Sequence, residues 1–108
     1  MMGKLQDEEK PIDEEIAREI IAAAPESWRS VTLEVTHATS PEGVERYAHV
    51  ISSPEGGKEY VQPTDELYSA TRRLGLLFRK HGHHWKKVRY TVHLEEDDSL
   101  RYTVEFDY

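Results

Sequence analysis

Three of the chain's six histidines, His81, His83 and His84, fall within four residues. Metal binding is the chemistry they suggest, but a zinc site needs three or four converging ligands, usually with carboxylate or cysteine help. His81 ends an apolar-faced helical pattern, whereas His83 and His84 follow Gly82. The three are therefore expected to diverge, and cations near a helix C-terminus are favourable without any metal. Four consecutive acids, Glu95, Glu96, Asp97 and Asp98, supply carboxylates, but no apolar wall stands beside them to perturb their ionisation for acid–base work. They also lack the alternating oxygen ligands and glycine hinge of a calcium loop. SPEGGK lacks the spacing and the strand-to-helix setting of a phosphate loop, and no G-x-S-x-G turn occurs. The expectation is a binding protein rather than an enzyme, with no metal and no cofactor.

A second constellation is cationic. Arg72, Arg73, Arg79, Lys80, Lys86, Lys87 and Arg89 follow one another with no acid between them. A nucleic-acid stripe would need aromatic or groove-reading company on the same face. Tyr68 and Trp85 are nearby, although a tryptophan opening a strand more often belongs to the core. The whole chain opposes phosphate binding, with 21 acids against 14 bases and a net charge of −7. Its natural partners are basic surfaces. A small nucleic-acid-binding or regulatory module using residues 72–89 is the alternative reading.

At 108 residues the chain is long enough for one core, and the absence of cysteine excludes disulfides and thiolate chemistry. No run approaches the ~18 apolar residues of a membrane span, and MMGKLQDEEK has no apolar segment of the signal-peptide kind. A cytoplasmic protein with no membrane partner is expected.

The elements that must position these residues are legible from periodicity. Residues 1–10 read as a flexible acidic tail, and a single domain is expected over 11–108. PIDEEIAREIIAAA reads as a helix opened by Pro11, with Ile12, Ile16, Ile20 and Ala23 on one face. Val31, Leu33 and Val35 alternate with polar residues as a first strand. SPEG at 40–43 is a turn into a second strand, Val44 to Ser52, whose inner side is ambiguous: Ala48 and Val50 compete with Tyr47 and Ile51. SPEGG at 53–57 is another turn, and Glu59 to Gln62 is a possible extra strand. Thr64 caps a second helix with Leu67, Ala70, Thr71, Leu74, Leu77, Phe78 and His81 on one side, closed by Gly82. Arg72, Leu76 and Arg79 fall on its opposite side.

Strict alternation over Val88–Leu94 and Leu100–Tyr108 then predicts a hairpin. Its register pairs Leu94 with Leu100, Val92 with Tyr102, Tyr90 with Val104 and Val88 with Phe106, and sets Arg89 opposite Glu105 and Lys87 opposite Asp107. The fold class is α+β: an antiparallel sheet of four to five strands with two helices packed on one face, in the order α-β-β-(β)-α-β-β.

Taken in order, these landmarks resemble the YezG-like antitoxin family of bacteria. The resemblance rests on the first helix (Ile16, Ala17, Ile20), PESW before the first strand, LYSATRRLGLLFRKHG, a tryptophan-led strand and a hairpin closing in EFDY. It covers nearly the whole chain from Ile12. The chain departs from the family's pattern at His84, where a proline is expected, and at DDS, where a glycine turn is expected. The resemblance implies an immunity protein that neutralises a cognate toxin, in several members of the family a nuclease, by stoichiometric protein–protein inhibition. The partner surface expected for such a protein is the acidic loop Glu95, Glu96, Asp97 and Asp98 with Trp85 and Tyr108 as aromatic anchors. Arg72, Leu76 and Arg79 form a secondary patch.

Overall fold

The computed structural model describes residues 2–53 and 61–108. Helix α1 (Met2–Ala23) precedes strands β1 (Ser30–Thr39) and β2 (Glu45–Ser52). Helix α2 (Asp65–Lys80) precedes β3 (Lys87–Leu94) and β4 (Leu100–Asp107). The strands form one antiparallel sheet in the order β2-β1-β3-β4, giving the α+β architecture α-β-β-α-β-β. The β3–β4 register is the one that alternation predicts, from Leu94↔Leu100 to Lys87↔Asp107.

Side chains alternating along the central strands fill the core: Val31, Leu33 and Val35 from β1, and Val88, Tyr90 and Val92 from β3, are all fully buried. Ile16 and Ile20 of α1 and Leu67, Ala70 and Leu74 of α2 close on them from one side. Each fully buried Val, Leu or Ile contributes about 1.5–3 kcal/mol relative to exposure. The other sheet face stays polar. There Glu34 on β1 receives Arg89 Nη2 at 3.0 Å and has Lys87 Nζ at 3.7 Å. The expected ion pairs of Arg89 with Glu105 and Lys87 with Asp107 are thus corrected: the residues do face each other, but both cations turn to the neighbouring strand. Glu34 stands beside both at once on a central strand, while Glu105 and Asp107 lie on the edge strand.

Helix α1 begins well before the expected Pro11, which lies inside it. The residues set apart as a tail are helical from Met2. Proline in a helix interior costs about 3 kcal/mol through a lost hydrogen bond and a ring clash. Pro11 is exposed, so its ring displaces no core side chain. The added turns also gain contacts: Leu5 packs on the core, and Glu8 meets His81 Nε2 at 2.8 Å and Lys80 Nζ at 3.7 Å.

Helix α2 starts and stops as its sequence dictates. The Leu67 amide donates to Thr64 Oγ1 at 3.1 Å. At the other end Gly82 takes φ +78, its amide donates to Arg79 O, and the His83 amide donates to Phe78 O, the paired bonds of a Schellman motif. The ambiguous strand β2 turns Tyr47, His49 and Ile51 inward, opposite His37, Val35 and Leu33, and leaves Val50 exposed. The turn at 40–43 forms, with Gly43 at φ +84 and its amide on Ser40 O. The turn expected at 53–57 lies outside the described residues from residue 54 onward. Of the possible strand at 59–62, residues 59 and 60 lie outside them, and Val61 and Gln62 join no strand.

Candidate protein-binding groove

Helix α1 and the edge strand β4 run antiparallel and leave a groove between them. Leu5, Glu9 and Asp13 line one side of its first part and Val104, Phe106 and Tyr108 the other. These residues, with Gln6, Lys10, His81 and His83, line a cleft of about 650 Å³. Further along, Glu14, Ala17 and Arg18 face Tyr102, Leu100, Ser99 and Asp98 around a second hollow of about 410 Å³.

The floor of the first cleft is polar and ordered. Tyr90, fully buried on β3, donates its hydroxyl to Asp13 Oδ1 at 2.5 Å. Asp13 is itself only 6% exposed, and Glu9 sits one turn before it, hydrogen-bonded to it. Burial, then the hydrogen bond to Asp13 and that residue's charge, push the Glu9 carboxyl up to about 8. Burial likewise raises Asp13, against the lowering effect of its bonds to Glu9 and Tyr90. The Tyr90 phenol is raised by burial and by Asp13. Two carboxyls one turn apart in a part-buried site do not both ionise readily, so both are shifted toward the protonated form. The walls are aromatic: Phe106 rests on Phe78 at 4.8 Å between ring centroids, and Tyr108 stacks on Phe106 at 5.9 Å while remaining 63% exposed.

The structure separates the residues that sequence reasoning grouped. Trp85 is 3% exposed, packed against Tyr47, Phe106 and His37, so it supports the groove from below and presents no surface of its own. The acidic loop is at the opposite end of the hairpin from Trp85 and Tyr108, about 25 Å along eight-residue strands. Within it, Glu95 is half-buried, with Arg101 Nε at 3.0 Å and Arg29 donating to its carbonyl. Asp97 accepts from the Ser99 amide and hydroxyl, which hold its carboxyl below the usual range and build the turn. Glu96 is exposed. Asp98, also exposed, lines the groove at one end and Tyr108 lines it at the other. Those two are brought onto one surface; the rest of the set is not.

The secondary patch is exposed as expected, with Leu76 at 50% and Tyr68 at 45% flanking Arg72 at four-residue spacing. Arg79 is paired with Glu45. The basic segment is largely neutralised within the chain: Arg73 forks onto Glu15, Lys80 approaches Glu8, and Lys87 and Arg89 share Glu34.

Sequence reasoning missed Glu9 and Asp13 because acids early in a helix normally complement its dipole in solvent. A signal was present. Asp13, Ile16 and Ile20 share the helical spacing of the buried stripe, which puts a carboxyl on an apolar face. Compared with known proteins, the chain matches no protein-family model and no curated protein. Among the described residues, no group of three or more histidines and acids is placed to hold a metal ion. No described helix is long and apolar enough to cross a membrane.

Proposed function

We propose that this chain is a cytoplasmic immunity protein that binds a basic toxin domain, of nuclease type, one-to-one and neutralises it by occlusion rather than by chemistry. The observation that carries the reading is the α1–β4 groove. It is open, lined by Glu9, Asp13, Glu14 and Asp98 with Lys10 and Arg18 among them, and walled by Tyr102, Phe106 and Tyr108. Aromatic anchors with acids around them suit the capture of a cationic protein surface. The net charge of −7 supports fast association with such a partner, and the resemblance to YezG-like antitoxins supports the toxin as its class. The internal pairing of Arg73, Arg79, Lys80, Lys87 and Arg89 disfavours the nucleic-acid alternative.

Affinity purification of the tagged chain from its host, with mass spectrometry of what co-elutes, tests the reading. The expected result is one stoichiometric protein whose C-terminal domain kills cells unless this chain is co-expressed. Recovery of nucleic acid instead, lost at high salt, would overturn it.

A further inference from the structure

Resting on the reading of the α1–β4 groove as the binding surface, we infer that its deep end is a socket for one arginine or lysine side chain of the partner. That side chain inserts beside Phe106 and Tyr108 onto the Glu9 and Asp13 carboxyls. The volume of about 650 Å³ falls within the ~300–1,000 Å³ range of ligand sites and leaves room for the partner's backbone at the mouth. The shape of the walls selects a long cation. Its aliphatic stem lies against Phe106 and Tyr108, and its charged head reaches the floor. An arginine gains most, because a guanidinium offers parallel donors to a carboxylate.

The floor offers carboxylate oxygens to such a group. Asp13 Oδ1 already accepts from Tyr90, and Glu9 shares a hydrogen bond with Asp13. Burial and the neighbouring Asp13 raise the Glu9 carboxyl to about 8, so a cation arriving there competes with a proton on Glu9. When a guanidinium arrives, Glu9 ionises, one proton passes to solvent, and the ligand's charge takes that proton's place, so the net charge of the site is unchanged. The other groups facing Glu9 are Lys10 on its own helix, His81 and His83 from the end of α2, Tyr90 on β3, and Tyr102 and Tyr108 on the β4 side. His81 Nε2 is bound to Glu8 at 2.8 Å, and Lys10 is exposed. Binding therefore tightens as pH rises toward 8 and levels off above it.

The test is a carbon- and nitrogen-detected NMR titration of the full chain with N-acetyl-arginine amide, using N-acetyl-citrulline amide as the uncharged match. Arginine amide is expected to saturate with a dissociation constant of about 10 mM or tighter. It should shift residues around 9–13 and 104–108 and move the Glu9 carboxyl carbon to its ionised position at pH 7. Affinity should rise by well over tenfold, roughly fifty-fold, from pH 6 to pH 8. Glu9→Gln should weaken binding about tenfold, and Tyr108→Ala, at an exposed position outside the core, should weaken it without disturbing the fold. An equal response to citrulline amide, saturation at other residues, no saturable response, or an unmoved Glu9 carbon overturns the socket. A chain that takes arginine amide this way but captures no toxin keeps the socket and loses the immunity reading. Toxin capture without the arginine response does the reverse.

Discussion

Tyr90 and Asp13 meet where a strand side chain and a helix side chain both leave solvent, and each is the reason the other is tolerated there. A phenol on the covered face of a sheet needs an acceptor, and a carboxyl on the apolar stripe of a helix needs donors. Removing the hydroxyl alone leaves Asp13 buried with one donor fewer. Tyr90→Phe is expected to cost about 1–3 kcal/mol in urea unfolding. Combined with Asp13→Leu, the loss should be smaller than the sum of the two single losses, because neither polar group is then left alone. Glu9 gives the same site a pH signature. It binds its proton more tightly folded, at about 8, than at its ordinary 4.5. The stability it lends is therefore complete below the ordinary carboxylate value and is lost as pH rises through about 8. Asp13 is shifted in the same sense. Urea midpoints should fall between pH 5 and pH 9, and Glu9→Gln should flatten that slope. Glu34 and Asp97 are shifted downward, so their contribution is lost in a separate window at low pH.

Among the elements, turns that must adopt a left-handed residue show how local chemistry fixes the ends of the helices and strands. Gly82 meets nothing where a Cβ would stand, so its role is backbone conformation alone, and Gly82→Ala should cost about 1 kcal/mol by thermal unfolding. The β3–β4 loop places Asp98 at φ 68, where glycine is favoured. Asp98→Gly should stabilise the hairpin by roughly 0.5 kcal/mol, and a lowered melting temperature would contradict that account. Such features also explain which parts of the fold were readable. The hairpin register was legible because one slip would turn Val88, Tyr90 and Val92 to water, so a single pairing survives. The start of α1 was not, because Pro11 is a legitimate first-turn residue and only tertiary contacts from Leu5 and Glu8 extend the helix past it. The inner side of β2 was not, because its decision lies 22 residues away. His49 Nε2 meets Thr71 Oγ1 at 3.0 Å, and a Cβ at Gly75 would collide with the Tyr47 hydroxyl. The candidate site was legible only at its ends, Asp98 and Tyr108, since its floor comes from acids that composition assigns to solvent.

At the scale of the molecule, the two helices divide the covered face of the sheet between them. Helix α2 lies against β2 through Thr71, Gly75 and Arg79, which meet His49, Tyr47 and Glu45 in turn. Helix α1 attends to β3 and β4, and its seam with β4 stays open. One side of the molecule is thus sealed by paired charges and aromatic packing, and the other offers a groove lined by both acids and the cations Lys10 and Arg18. On the proposed reading, a basic partner would be drawn to this side by Glu14 and Asp98, against the opposing charges of Lys10 and Arg18. Two charge-reversing substitutions separate this surface from the exposed stripe on α2. Glu14→Lys with Asp98→Lys, both beside the second hollow and away from the core, should slow association with the proposed toxin partner about tenfold at low salt, with the difference shrinking as salt is raised. Leu76→Glu, on the exposed face of α2, should leave that rate unchanged or slightly faster. Stopped-flow or surface-binding kinetics on the three proteins, with folding checked by circular dichroism, reads the contrast directly. Slowing by Leu76→Glu alone would transfer the interface to Tyr68, Arg72 and Leu76, and the α1–β4 groove would then be a structural cleft without a partner.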